Sequence, residues 1–301
     1  MVLDRGPGGL EPLAGGWSGE TFVAEVAGER TVVRIFADPR HGPHAAEVQA
    51  SLLRLVRGLL PVPEVLEVRP ADAYAGTPGV LVTSFLPGVR GDLHVARPDA
   101  DLGAAGRAAG AVAARLAAMP LLHRGLFVGA DLRVEPFGVG TGAGGTADWV
   151  EAHRESLVAR GWGEDLLAGL DEVAAAADLL LGAVARASLV HSDLNPKNLL
   201  LDPTTGAVTG VVDWEFAHAG HPYTDLGNLL RSDRDPRWVE GVLDAWSQQH
   251  GTADGAPLEL ARHADLVALV DLAAGPGRSP VAEAARRQLR AVAAGRDVHA
   301  V

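Results

Sequence analysis

Residues 188–215 read SLVHSDLNPKNLLLDPTTGAVTGVVDWE, and the fold turns on how this stretch is read. An apolar run ends at His191-Ser192-Asp193. Asn198 follows five residues after that aspartate, and a second apolar run, Val208 to Val212, is closed by Asp213. The spacing predicts a loop followed by a hairpin, with two carboxylates and an amide brought together. Such a set suits phosphoryl transfer, in which a base orients a hydroxyl while an aspartate and an asparagine hold Mg²⁺. Hard oxygen ligands of this kind fit Mg²⁺ better than zinc.

Outward from that stretch, the 301-residue chain has length for one large domain or for two lobes, and 48% hydrophobic content marks it as globular. No apolar run reaches the ~20 residues of a membrane span. The start, MVLDRGPGGL, lacks the basic-then-apolar pattern of a signal peptide, so a cytoplasmic location is expected. With no cysteine there are no disulfides and no thiolate metal sites. The net charge of −12 argues against nucleic acid as a partner and suits a cationic small substrate. Lys197 is the only lysine among 26 basic residues, a bias that matches GC-rich coding. Oligomeric state is open between monomer and homodimer.

The first ~86 residues are β-rich with one helix. Leu10 to Ala14 leads into a glycine turn, Gly15-Gly16-Trp17-Ser18-Gly19, followed by strands at Thr21 to Val26 and Thr31 to Phe36. A helix is predicted over His44 to Arg57, with Val48, Leu52, Leu55 and Val56 as its apolar stripe, then strands at Val65 to Val68 and Val80 to Phe85. After Leu86-Pro87-Gly88 the chain turns helical: Asp101 to Met119, Asp148 to Arg160, Asp165 to Ala187, Tyr223 to Arg231, Pro236 to His250, Pro257 to Ala274 and Pro280 to Ala294. Gly140, Gly142 and Gly145 spell a formal dinucleotide fingerprint, but no strand precedes them, and a linker is the better reading.

The stretch 188–215 resembles the aminoglycoside phosphotransferase and choline kinase family of small-molecule kinases. Their pattern runs roughly H-G-D-x-x-x-x-N and then I-D-W/F-E, and His191, Asp193, Asn198, Asp213 and Glu215 match it. The resemblance implies an α+β, bilobal protein-kinase-like fold. A small antiparallel β-sheet lobe with one helix, 1–86, would bind nucleotide, and a large mainly helical lobe, 87–301, would carry catalysis and substrate.

It also implies roles. Asp193 is the expected catalytic base, with His191 holding the loop. Lys197, where the family commonly has glycine, is read as adding positive charge near the transferring phosphoryl. Asn198 and Asp213 are the expected Mg²⁺ ligands. For ATP, or GTP, the backbone at Gly16, Ser18 and Gly19 would approach the phosphates. Ser84 and Leu86 would offer backbone hydrogen bonds to the purine. The family's third strand carries a lysine that contacts phosphate and pairs with a helix glutamate; here those places hold Arg34 and Glu47, and the two cations are not interchangeable. Glu215 and Asp225 fall toward the substrate. Asp225 also matches an aspartate that braces the catalytic loop, with helix capping as its competing role.

Family members phosphorylate hydroxyls of aminoglycosides, macrolides, basic peptide antibiotics, choline, homoserine and thiamine. An antibiotic-inactivating O-phosphotransferase is the leading expectation, and a metabolic kinase of choline, homoserine or sugar type the second. Glu151, Glu155, Asp233 and Asp235 are candidates to line a site for a cationic acceptor. A metallohydrolase built on His191, Asp193, Asp213, His218 and His221 leaves Asn198 unexplained. A protein kinase needs a longer segment than the 11 residues between Asp213 and Asp225.

Overall fold

The computed structural model describes residues 11–13, 21–26, 28–38, 40–137, 145–231, 235–252, 256–277 and 279–301. In chain order the first elements are β1 (Glu11–Pro12), β2 (Thr21–Val26), β3 (Glu29–Phe36), α1 (Ala45–Val56), β4 (Val65–Arg69), β5 (Gly79–Ser84), β6 (Val89–Arg90) and α2 (Gly91–Val95). Then follow α3 (Leu102–Ala117), β7 (Pro120–Leu121), β8 (Leu126–Val128), β9 (Arg133–Glu135), α4 (Thr146–Val158), α5 (Glu164–Gly182) and β10 (Ala187–Val190). After a 3₁₀ turn at Pro196–Asn198 come β11 (Leu199–Leu201), β12 (Val208–Val211), β13 (His218–Gly220) and α6 (Thr224–Arg231). The last are α7 (Pro236–His250), α8 (Pro257–Ala264), α9 (Leu266–Ala274) and α10 (Pro280–Gly295). They fall into two compact units. The first takes in Met1–Asp99, Phe127–Val134 and Pro196–Phe216, and the second Ala100–Leu126, Glu135–Asn195 and Ala217–Val301.

In the first unit five antiparallel strands lie in the order β1-β2-β3-β5-β4. Gly28, at φ +82°, closes the tight β2–β3 turn in a conformation that side chains resist. On β5 the buried residues alternate, Gly79, Leu81 and Thr83, and their partners on β3 are Phe36, Arg34 and Val32. Cross-strand partners project from the same face, so Arg34 stands on the buried face of the sheet. α1 covers that face. Its buried positions, Ala46, Gln49, Ala50, Leu52, Leu53 and Val56, keep helical spacing, and a Cβ on Gly79 would lie 3.2 Å from that of Ala46. A second, three-stranded sheet, β12-β11-β6, belongs to the same unit and is tied to the segment after α1 by Val211 N–H donating to the Pro61 carbonyl (2.8 Å).

In the second unit the small-residue helix α3 packs so closely on α7 that backbones touch. A Cβ on Gly106 would come within 2.6 Å of the Trp238 carbonyl, and one on Gly110 within 2.4 Å of the Val242 carbonyl. A further core joins α4, α5, α9 and α10 around Leu157, Leu170, Leu289 and Val292. The wholly buried β10 lies between β13 and β7. Two helix expectations change. The predicted helix over Asp165 to Ala187 stops at Gly182, and Ala187 begins β10. The segment Pro257 to Ala274 is two helices meeting at Asp265, whose carboxylate accepts from Arg231 Nη2 (2.6 Å), Arg231 Nε (2.8 Å) and Asn228 Nδ2 (3.0 Å). Among the described residues no helix is long and apolar enough to cross a membrane.

Candidate active site

The loop 191–195 lies in the second unit and is held from beneath. Consecutive N–H groups of His191 and Ser192 donate to the two oxygens of Asp225, both at 2.8 Å. Asp225 opens α6 and is buried, and burial raises its carboxyl above the ordinary value, against the pull of His191 and the two N–H donors. Ser192 has φ +66°, a conformation rare for a residue with a side chain, and is pinned there just before Asp193. Asn195 Nδ2 donates to Oδ1 of Asp193 (2.7 Å) and to its carbonyl (3.0 Å), which fixes the carboxylate's rotamer. His191 is fully buried, and its Nδ1 lies 3.4 Å from Asp193 N, a long contact. Asp225 is 1% exposed and each of its oxygens accepts a backbone N–H, so the loop-bracing role has its geometry here while the other role expected for it, contact with a substrate, lacks an exposed surface.

The expected metal and nucleotide residues that the structure describes lie in the first unit. Leu199 pairs with Val211, and Val212 N–H donates to the Asn198 carbonyl (3.0 Å). Asn198 and Asp213 therefore leave the same end of the β11–β12 hairpin. Trp214 between Asp213 and Glu215 is buried, its indole N–H donating to the Val211 carbonyl (3.0 Å). That anchor holds its two acidic neighbours in place. Asp213 takes φ +65°, and its side chain keeps 42% exposure. Arg34 reaches both: Nη1 donates to Asp213 Oδ1 (2.9 Å) and Nη2 to Glu215 Oε2. Glu47, the expected partner of Arg34, instead accepts from His44 Nδ1 (3.3 Å) through Oε1.

Two carboxylates already converge on one cation here, with an amide at the same hairpin end. That donor set fits Mg²⁺, which favours oxygen ligands. Ser84 N–H donates to the Glu64 carbonyl (2.8 Å) and its hydroxyl accepts from Glu64 N–H (2.9 Å). Only its carbonyl is thus left for the purine contact expected of it. Leu86 is half-buried, and a Cβ on Gly210 would lie 2.9 Å from its Cδ1. Lys197 sits half-buried in the 3₁₀ turn. Gly16, Ser18, Gly19 and Asp233 lie outside the described residues. Of the other acidic candidates, Glu151 accepts from Arg154 Nε (2.5 Å), and Asp235 caps α7 and accepts from Arg237 Nη2 (2.8 Å).

One neighbour was not found from the sequence. A Cβ on Gly91, at the start of α2, would lie 2.5 Å from the Pro196 carbonyl, so this glycine supports the turn that carries Lys197 and Asn198. A glycine after Val89-Arg90 gave no signal beyond a turn. The pair His218 and His221 makes no metal site. Tyr223 N–H donates to His221 Nδ1 (3.3 Å), so Nε2 carries the proton toward the Leu181 carbonyl (3.3 Å), and neither nitrogen has a lone pair to spare. The His218 ring packs on Phe137. Among the described residues no three His, Asp or Glu side chains gather as metal ligands.

A unit built on an antiparallel five-stranded sheet covered by α1, together with a mainly helical unit, defines an α+β protein of the protein-kinase-like class. Solved structures share the fold. A thermostable mutant of aminoglycoside phosphotransferase APH(4)-Ia, in complex with ADP and hygromycin B, is 19% identical with TM-score 0.62, covering 96% of this chain and 91% of that one. Choline kinase LicA from Streptococcus pneumoniae is 13% identical with TM-score 0.59, over 95% and 93%. Aminoglycoside phosphotransferase APH(3'')-Id from Streptomyces rimosus, bound to ADP and streptomycin, is 22% identical with TM-score 0.55, over 87% and 93%. The model of the phosphotransferase enzyme family (APH) matches residues 9–260, and the chain belongs to that family. No curated protein matches it.

Proposed function

We propose that this phosphotransferase moves the γ-phosphoryl group of ATP or GTP to a hydroxyl of a small cationic molecule, and that the acceptor is an antibiotic. The observation that carries this reading is the family match over 9–260 in a chain that keeps Asp193, Asn198 and Asp213 together with the Asp225 brace. In the transfer the acceptor oxygen bonds to the γ-phosphorus as the β–γ bridge breaks. The nucleoside diphosphate leaves with the bridging oxygen, and the hydroxyl proton passes to Asp193. General-base help of this kind contributes roughly 10²–10⁴ in rate. Bound Mg²⁺ would supply charge neutralisation of the phosphates, held by Asn198 and Asp213. Arg34 is assigned to the phosphates and Lys197 to the charge of the transferring group. Asn195 fixes the Asp193 carboxylate, so the base is oriented before the acceptor arrives.

The acidic balance, −12, supports a basic acceptor, and relatives of the same fold are complexes with hygromycin B and streptomycin. A choline kinase shares the fold as well, which keeps a metabolic amino-alcohol acceptor as the second reading. The test is ATP and GTP consumption across aminoglycosides, basic peptide antibiotics, macrolides, choline and homoserine, with Asp193→Asn as control. A phosphorylated antibiotic made by wild type and not by the control is the expected result. Phosphorylation of choline or homoserine alone replaces the first reading by the second. Failure of wild type to bind either nucleotide refutes both.

A further inference from the structure

The guanidinium of the strand residue Arg34 is shared between the two acidic side chains that flank Trp214. Its side chain is 12% exposed, and it bridges Asp213 and Glu215 while its own Nε is buried with no hydrogen-bond partner. On the α1 side of the same sheet face, Glu47 Oε2 is also buried without a partner, its other oxygen being 3.3 Å from His44. Arg34 projects toward α1, because its cross-strand partner Leu81 shares a face with Gly79, and the Cβ position of Gly79 meets Ala46, the residue next to Glu47. Around Arg34 this sheet face thus brings the guanidinium within reach of two carboxylates that it pairs and sets a third, half-satisfied, on the covering helix. A buried, half-paired carboxylate is costly, and a guanidinium can satisfy it through two parallel N–H donors.

We propose that Arg34 is an exchangeable counter-ion: it competes with a divalent cation for Asp213 and Glu215, and turns to Glu47 when that cation binds. The proposal rests on the phosphotransferase reading and deepens it. It assigns the strand arginine a duty a lysine performs less well. A planar fork with five N–H donors can bridge two carboxylates at once, whereas an ammonium is a point charge. The two acidic groups stay neutralised whether or not metal is present, and their mutual repulsion is relieved in both states. Cation entry then costs the displacement of Arg34. That cost is offset by satisfying Glu47 and by delivering the guanidinium to where phosphate is held.

The consequence is two effects of opposite sign at one residue. In full-length protein without nucleotide, Mn²⁺ affinity followed by electron paramagnetic resonance should rise about tenfold in Arg34→Gln, the equivalent of one charge-assisted hydrogen bond. Nucleotide affinity, measured with a fluorescent ATP or GTP analogue and Mg²⁺, should fall in the same variant. Glu47→Gln should lower Mn²⁺ affinity without nucleotide several-fold, because the displaced guanidinium loses its partner, and should weaken the nucleotide complex as well; an unchanged Mn²⁺ affinity in Glu47→Gln overturns the turn to Glu47. Arg34→Lys should fall between wild type and Arg34→Gln for Mn²⁺, and circular dichroism confirms that each variant is folded before binding is read. Mn²⁺ affinity that is unchanged or lower in folded Arg34→Gln overturns the proposal, as does a gain in Glu47→Gln equal to that in Arg34→Gln. If wild type binds neither nucleotide, the phosphotransferase reading itself has failed. If it binds nucleotide while Arg34→Gln leaves Mn²⁺ affinity unmoved, only the exchange is wrong.

Discussion

Removing the carboxylate of Asp225 tests whether the loop before Asp193 is built from below. The perturbation is Asp225→Ala, which strands the N–H groups of His191 and Ser192, each now 2.8 Å from a carboxylate oxygen in a buried setting. A buried donor left without a partner costs ~1–3 kcal/mol. Two of them amount to about 2–6 kcal/mol, from which the relief of no longer burying a charge must be taken. A net loss of about 2–4 kcal/mol in urea denaturation is therefore expected. The local signature is sharper than the global one. The amide protons of His191 and Ser192 should exchange roughly ten- to a hundredfold faster, while those of Leu189 and Val190 in β10 keep their protection relative to the global unfolding limit. Because Ser192 is held at φ +66° immediately before the proposed base, turnover should fall by about 10² or more even where the variant is fully folded. In Asp225→Asn the amide oxygen can accept from only one of the two N–H groups, and its own NH₂ opposes the other, so one amide of the pair should exchange fast and one slowly. Unchanged exchange at His191 and Ser192 in Asp225→Ala, whatever happens to overall stability, refutes the brace. Faster exchange with undiminished turnover refutes its link to catalysis.

Gly91→Ala forces a methyl group against the Pro196 carbonyl, so the 3₁₀ turn must shift; nucleotide affinity is expected to drop several-fold with a stability loss of about 1–3 kcal/mol, and titration with a fluorescent nucleotide decides it. Gly110→Val intrudes where α3 and α7 backbones touch, with the Val242 carbonyl 2.4 Å from the new Cβ. A stability loss of about 1–3 kcal/mol or more should appear in urea denaturation, and a neutral result refutes the close approach. The pH dependence of Asp225 has a definite sign. Burial holds its carboxyl above the ordinary 3.8, so the native chain binds that proton more readily than the unfolded one. The stability this group contributes is present below the unfolded value and is lost as pH rises through the native value. The stability of wild type minus that of Asp225→Asn should therefore shrink from acid toward neutral pH, and a flat difference contradicts it.

Local patterning made the first unit legible. Thr21–Val26 was read at its observed bounds, and the strand predicted over Val80 to Phe85 is shifted by one residue, because β-branched runs between glycine turns leave little choice of register. The helical segments were legible for the same reason, but not their ends. The alanine run before Ser188 reads as helix throughout, since propensity carries no mark of where the chain must enter a buried strand. Asp265 shows the second limit. Periodicity over Pro257 to Ala274 is continuous, and the division between α8 and α9 falls at a residue committed to Arg231 and Asn228, which are more than 30 positions away. The Asp225 brace lay within reach because the family pattern names that position. The support under Asn198 did not, since Gly91 matters only through the space it leaves open.

The ion pairs of Arg34 show why placement can be read where partnership cannot. Strand alternation puts Arg34 on the face that α1 covers, and 13 positions of chain bring Glu47 onto that helix, so a sequence argument naturally pairs them. Competing for the same guanidinium are two carboxylates 179 and 181 residues away, carried by a hairpin whose approach to the sheet depends on contacts such as that of Val211 with Pro61. Which partner wins is a difference between similar energies, because every candidate bond is charge-assisted, the one to Asp213 exposed and the one to Glu215 part-buried. Near-degeneracy of that kind gives no sequence signal, and it is also what permits one side chain to exchange between partners when a competing cation arrives. The same feature that defeated the local prediction is therefore the one the metal-affinity experiment measures.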